Sequence, residues 1–234
     1  LPALMKRGFH GPIYCSVATK ALCKVLLPDA GYLQEEDARY ANYKHFSKHE
    51  PAEPLYTEED ARKVLKQIKD VAADEILSLP GGMTAQLIPV GHILGASAIR
   101  LEYQGKSITF SGDVGRENDL IQYPPQPLPA TDYLVLESTY GDRLHEQVDA
   151  EQAIADVINK TMSRGGIVLM PAFAVGRAQL ALHIIERLKH QHRIPDVPIY
   201  LNSPMAIRAT ELFYNFHDLH KLSEDDCHRI DEMT

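Results

Sequence analysis

The chain has 234 residues, with 24 Lys or Arg against 32 Asp or Glu and a formal charge of -8. Its 44% hydrophobic and 24% charged content excludes global disorder, and no run approaches the roughly 18 apolar residues of a membrane span or the pattern of a signal peptide. A soluble, cytoplasmic protein of one to two domains is expected, and the acidic balance argues against broad duplex binding while leaving room for a local basic groove.

In chain order, Pro12-Ile13-Tyr14-Cys15 reads as a strand, and apolar residues at helical spacing over 16–27 predict a helix closed by Pro28. Residues 29–56 are polar and acidic and read as a helix plus an exposed loop. Thr57-Glu58-Glu59-Asp60 has the form of a capping box. Ala61, Val64, Leu65, Ile68 and Val71 extend a predicted helix to about residue 71. A strand over 86–90 follows. Ile99, Leu101 and Tyr103, a Gln104-Gly105 turn and the run 107–110 then form a hairpin pattern. After a proline-rich loop over 123–129, residues 133–136 predict a buried strand.

From about residue 146 the rhythm alternates: a helix at 149–163, a strand at 167–170, a helix at 176–190, a strand at 197–201 and a helix at 204–216. This order implies parallel strands with crossover helices, and it places a domain boundary within 141–148. The three cysteines, Cys15, Cys23 and Cys227, include no C-x-x-C pair and are expected to be free thiols in a reducing compartment.

Two strings set metal-competent side chains at predicted strand ends: Gly91-His92-Ile93-Leu94-Gly95-Ala96 and Ser111-Gly112-Asp113-Val114-Gly115-Arg116. Imidazole and carboxylate are ligands for zinc or manganese, and the flanking glycines allow close backbone approach. Taken singly, each reads first as a turn cap or a core hydrogen bond, and as a metal ligand only second. Glu137, directly after the strand 133–136, adds a carboxylate at a third strand end, where layered α/β proteins place their sites; alone it also reads as a turn or helix-start carboxylate.

The sequence resembles the metallo-β-lactamase fold nucleases with a β-CASP domain, which include the 3'-end processing endonuclease of eukaryotic pre-mRNA. The resemblance runs from Leu1 to about Phe216. It rests on the two strings above together with Glu137-Ser138-Thr139-Tyr140-Gly141-Asp142, Pro171-Ala172-Phe173-Ala174-Val175-Gly176-Arg177-Ala178-Gln179 and Asn202-Ser203-Pro204-Met205-Ala206. Strings near Gln34 and Pro54 look most like the bacterial branch. The implied fold is α/β: an incomplete metallo-β-lactamase αββα sandwich over 1–145, followed by the first part of a parallel α/β β-CASP domain over 146–234.

The resemblance implies a zinc-dependent ribonuclease or phosphodiesterase, exo- or endonucleolytic, with two zinc ions and a bridging hydroxide. His92 corresponds to a histidine that ligates one zinc, Asp113 to the aspartate that bridges both, and Glu137 to an acidic residue that orients a downstream histidine. Two metals would neutralise the phosphate and clamp the attacking and leaving oxygens. RNA is the implied partner, with single-stranded DNA the other candidate polymer.

Arg177, at the start of a helix, is a candidate phosphate contact, and equally an arginine fixing interdomain packing. Ser203 reads as an N-cap, with substrate contact as its other reading. The family's H-x-H-x-D-H motif is absent from the 234 residues, His10, His45 and His49 lack the spacing to replace it, and Leu180 stands where the family often has Glu. The chain also lacks an initiator Met. It is therefore expected to be an internal piece of a longer protein, unable to hold both zinc ions or cleave RNA alone and prone to self-association along an open sheet edge. A non-catalytic RNA-binding or assembly subunit of the same fold is the alternative.

Overall fold

The computed structural model describes residues 1–73, 75–144 and 148–233. The chain forms two compact units, Leu1–Leu87 and Ile88–Thr234. Its architecture is mixed α/β.

In the first unit a short helix α1 (Pro2–Lys6) leads to β1 (Ile13–Ser16). Ser16 caps the long helix α2 (Val17–Lys44) by accepting a hydrogen bond from the Thr19 amide at 3.2 Å. The expected stop at Pro28 does not occur: the helix runs through it, with Pro28 itself buried. An internal proline forfeits one backbone hydrogen bond and costs about 3 kcal/mol in an isolated helix. Here α2 packs along α3 (Glu58–Val64), and Glu35 accepts the Glu58 amide at 2.9 Å. Tertiary packing outweighs the local signal.

The capping box is present in full. Thr57 accepts from the Asp60 amide and Asp60 from the Thr57 amide, both at 3.1 Å. The helix ends at Val64, however, and after a single 3-10 turn Ile68–Val71 becomes β2, parallel to β1 in the register Ile13 to Ile68. Ile68 and Val71 are buried as the helical spacing required, but they reach the core from an extended backbone. Their β-branched side chains suit a strand, β1 supplies the backbone partners, and Lys20 pairs with Asp70. The antiparallel pair β3 (Ile76–Leu79) and β4 (Met83–Pro89) follows, of which only β4 was expected. The division between the two units falls within β4.

In the second unit β5 (Ser97–Tyr103) and β6 (Lys106–Phe110) make the expected hairpin. Gln104 and Gly105 have φ of 49° and 74°, the two left-handed positions of a two-residue turn matched to strand twist. β7 (Tyr133–Val135) joins β6 in parallel. Asp132 fastens this junction through Lys106 Nζ at 2.7 Å and the Ser107 amide at 2.9 Å. β7 was expected to be buried, yet Tyr133, Leu134 and Val135 are exposed. The strand lies at the end of the sheet order, so one of its edges has no strand partner among the described residues.

Three predicted helices are present as α4 (Ala150–Met162), α5 (Arg177–His190) and α6 (Pro204–Asn215). A fourth, α7 (Glu224–Met233), was not expected. α4 and α5 share a core of Ala155, Ile158, Ile184, Ile185, Leu188 and Ile194. The predicted strands at 167–170 and 197–201 are not paired into a sheet among the described residues. Val168 and Ile199 pack on the helical core, while Ile167, Leu169 and Tyr200 face outward, each more than 80% exposed. The two-faced pattern of a strand is thus present without the neighbouring backbone that would complete it.

Candidate metal centre

The segments that carry His92 and Asp113 are locked together through their backbones. The Val90 amide donates to the Ala96 carbonyl at 3.1 Å, and the Val90 carbonyl accepts the Gly115 amide at 2.8 Å. Gly91 has φ of 64°, and a Cβ there would stand 2.1 Å from the Tyr123 carbonyl oxygen. A Cβ on Gly115 would stand 2.0 Å from the Gly91 oxygen. Only glycine allows the two turns to touch this closely. Beneath them Ile88, Val90 and Ala98 form a small apolar core, with Val114 packed against it.

On this support His92 Nε2 lies 3.9 Å from Asp113 Oδ2, and the two side chains are 45% and 74% exposed. Glu137 completes the group from the end of β7. Its Oε1 accepts the Val114 amide at 2.7 Å, its Oε2 accepts the Thr139 hydroxyl at 2.7 Å, and its own amide donates to Ser111 Oγ at 3.0 Å. The Val114 amide is the main cause that holds the Glu137 carboxyl below the usual range, followed by the Thr139 hydroxyl. Glu137 is therefore a fixed anion gripping the backbone beside Asp113, while His92 and Asp113 present their donor atoms to solvent.

The donor set fits a dication. Zinc–nitrogen and zinc–oxygen bonds of roughly 2.0–2.2 Å each place two ligands of one ion up to about 4 Å apart, and the 3.9 Å separation lies within that reach. Two ligands fall short of the coordination that a dinuclear centre requires.

Arg177 is exposed at the first position of α5. The start of that helix adjoins the His92 turn, because a Cβ on Gly176 would stand 3.2 Å from Ile93 Cγ2. Ser203 caps α6, accepting the Ala206 amide at 3.2 Å, and makes no hydrogen bond or ion pair to His92, Asp113 or Glu137 among the described residues. The structure thus joins His92, Asp113 and Glu137, brings the start of α5 to Ile93 beside His92, and gives Ser203 its helix-capping role.

Gln179 was quoted in a motif without a role, and the structure supplies one. Buried to 2% exposure, it accepts the Gly176 amide at 2.7 Å and donates to the Ala174 carbonyl at 3.1 Å and to Thr210 Oγ1 at 2.8 Å. It fastens the entry to α5 onto α6. Its position three residues after the helix-capping Gly176 is the spacing of a capping box, a signal available in the sequence. Ser111 and Thr139, which hold Glu137, carried no such signal.

A Beta-Casp domain matches residues 178–234. Over 215 residues the chain is 34% identical to ribonuclease TTHA0252 of Thermus thermophilus, covering 91% of this chain and 45% of that protein. This chain is a relative of the metallo-β-lactamase/β-CASP RNA-processing nucleases. It is also 31% identical over 216 residues to cleavage and polyadenylation specificity factor subunit 3-I of Arabidopsis thaliana, covering 91% of this chain and 29% of that protein. With endoribonuclease ysh1 of Schizosaccharomyces pombe the identity is 32% over 225 residues, covering 92% and 27%. The chain spans less than half the length of these relatives. Among the described residues no helix is long and apolar enough to cross a membrane.

Proposed function

We propose that this chain, within a protein that also carries an H-x-H-x-D-H segment, is part of a zinc-dependent ribonuclease that hydrolyses phosphodiester bonds of RNA. The observation that carries the reading is the 3.9 Å approach of His92 Nε2 to Asp113 Oδ2. The names of the relatives, a ribonuclease and an endoribonuclease, support RNA as the substrate. When bound, two zinc ions would supply an activated hydroxide and neutralise the phosphate. His92 would hold one ion and Asp113 would bridge both. Glu137 acts by orienting the Asp113 turn. Arg177 and the first turn of α5, beside Ile93, take a backbone phosphate. Ser203 contacts the same strand of RNA in addition to capping α6. Residues 1–145 serve as the metallo-β-lactamase domain and 146–234 as the beginning of the β-CASP domain.

By itself the 234-residue chain cleaves no RNA, since His92 and Asp113 are too few ligands for a dinuclear centre. RNA is preferred over single-stranded DNA, the free thiols Cys15, Cys23 and Cys227 fit a cytoplasmic protein, and copies of the chain associate along the open edge of β7. A monodisperse monomer in light scattering would reject that last point.

The deciding experiment is a zinc-dependence series on the full-length protein with labelled RNA, with and without His92→Ala. Activity that vanishes on chelation, returns with zinc and falls at least ~100-fold in His92→Ala supports the proposal. RNA binding without cleavage at any zinc concentration would instead support the non-catalytic, RNA-binding subunit.

A further inference from the structure

Away from the His92 turn, α5 and α7 press a histidine and two carboxylates together. His183 and Glu186 stand three residues apart on α5, a spacing that sends both side chains from one face of the helix. Asp226, in the first turn of α7, meets them. Each residue offers a ligand atom, and the three atoms lie within 4.8 Å of one another.

His183 and Glu186 are 7% and 5% exposed, and His183 Nδ1 and Glu186 Oε2 are buried with no hydrogen-bond partner. Each such orphaned atom costs about 1–3 kcal/mol, and here two of them belong to one cluster. The remaining oxygens are engaged. Arg229 Nε donates to Glu186 Oε1 and Arg229 Nη2 to Asp226 Oδ1, both at 2.6 Å. Asp226 Oδ2 accepts the Ser223 amide at 2.9 Å and the Ser223 hydroxyl at 2.7 Å.

Two carboxylates share the Arg229 guanidinium, with the Arg187–Glu151 ion pair also acting on an imidazole whose burial lowers its pKa and favours its neutral form. One nitrogen and two carboxylates form a ligand set for a borderline first-row dication. The Arg229 side chain is 39% exposed, so its guanidinium has solvent to withdraw into.

We propose that His183, Glu186 and Asp226 form a binding site for a single zinc-like divalent cation between α5 and α7, separate from the His92–Asp113 pair. Small side-chain rotations would close the 4.8 Å spread to the roughly 4 Å that the ligands of one ion span. Arg229 then stands in for the cation in its absence and gives way when it binds. The site ties the first turn of α7 to the middle of α5, so its expected effect is on stability.

The test uses the 234-residue chain with His92→Ala and Asp113→Asn, which silences the other pair, and cobalt(II) as the probe. Expected are a visible ligand-field absorption that saturates at one equivalent and a rise in melting temperature. His183→Leu and, independently, Glu186→Gln should weaken cobalt binding at least ~tenfold and abolish the rise, whereas Arg229→Gln should tighten binding. In chelator His183→Leu should melt no lower than its parent, because it removes an orphaned polar group, and this separates loss of the site from loss of the fold. If His183→Leu does not fold, Glu186→Gln decides the matter. The proposal is overturned if the parent binds no cobalt at millimolar concentration, or if cobalt raises the melting temperature of the folded variants as much as that of the parent.

Discussion

The carboxylate of Glu137 accepts the amide proton of Val114 at 2.7 Å and so holds the backbone immediately after Asp113. A residue at the end of one strand thereby sets the position of a candidate ligand at the end of another. Glu137→Ala is expected to destabilise the chain by about 1 kcal/mol, a charge-assisted hydrogen bond discounted for partial exposure. It should also lower zinc or manganese affinity at the His92–Asp113 pair by roughly tenfold. Glu137→Gln, which keeps an acceptor for Val114, should recover part of both. Because the Glu137 pKa is lowered on folding, its contribution is full above the ordinary glutamate range and is lost as pH falls through the lowered value. Urea melts at pH 7 and pH 3 check the sign.

Gly115 faces the Gly91 carbonyl so closely that any side chain collides with backbone. Gly115→Ala should cost at least ~2 kcal/mol and loosen both turns. Gly81→Ala, where a Cβ meets nothing within 4 Å, pays only for its positive φ and should cost about 1 kcal/mol. The difference between their chemical-denaturation midpoints is the measurement. Equal costs would mean that the turns part more easily than their contacts imply.

Asp132 has its pKa lowered to about 2, first by Lys106 and then by the Ser107 amide. A carboxylate with a depressed folded-state pKa stabilises above its unfolded pKa, and the gain disappears as pH falls through the folded value. The melting difference between the native chain and Asp132→Asn should therefore be constant above about pH 4 and shrink towards pH 2. Carbon-detected NMR titration of the Asp132 carboxyl gives a direct reading.

His220 is 1% exposed. Its Nδ1 accepts the Leu222 amide at 3.1 Å, which leaves Nε2–H to donate to the Phe213 carbonyl at 2.8 Å. Its ring stacks on Phe213 at 5.2 Å. Burial is the main cause that lowers its pKa. Since the unfolded state takes up a proton first, stability is full above about pH 6.5 and declines as pH falls from there to the lowered folded value. His220→Ala should cost about 2–4 kcal/mol at pH 8 through a cavity and lost hydrogen bonds. The penalty should be smaller at pH 5, as compared by urea melts.

The strand ends bearing His92, Asp113 and Glu137 were legible because each motif couples a chemical group to glycines or to a strand terminus, and such signals are local. The capping box at Thr57 and the Gln104-Gly105 turn were legible for the same reason. Ile68 and Val71 were misread as helix because a spacing of three buries both residues on a helix, while a short strand paired to β1 buries them as well. The His183, Glu186 and Asp226 cluster left no trace in the sequence, since its third member comes from a helix some forty residues away.

What the sequence determined by itself was the order of most elements, the caps and turns that begin and end them, and the metal-competent residue types placed beside strand ends. These depend on interactions within a few residues, which a linear reading captures. Only the tertiary structure decided that α2 continues through Pro28, that Glu137 holds the turn of Asp113, and that His183, Glu186 and Asp226 meet. Each of these rests on groups distant along the chain, whose packing and desolvation exist only once the backbone has folded.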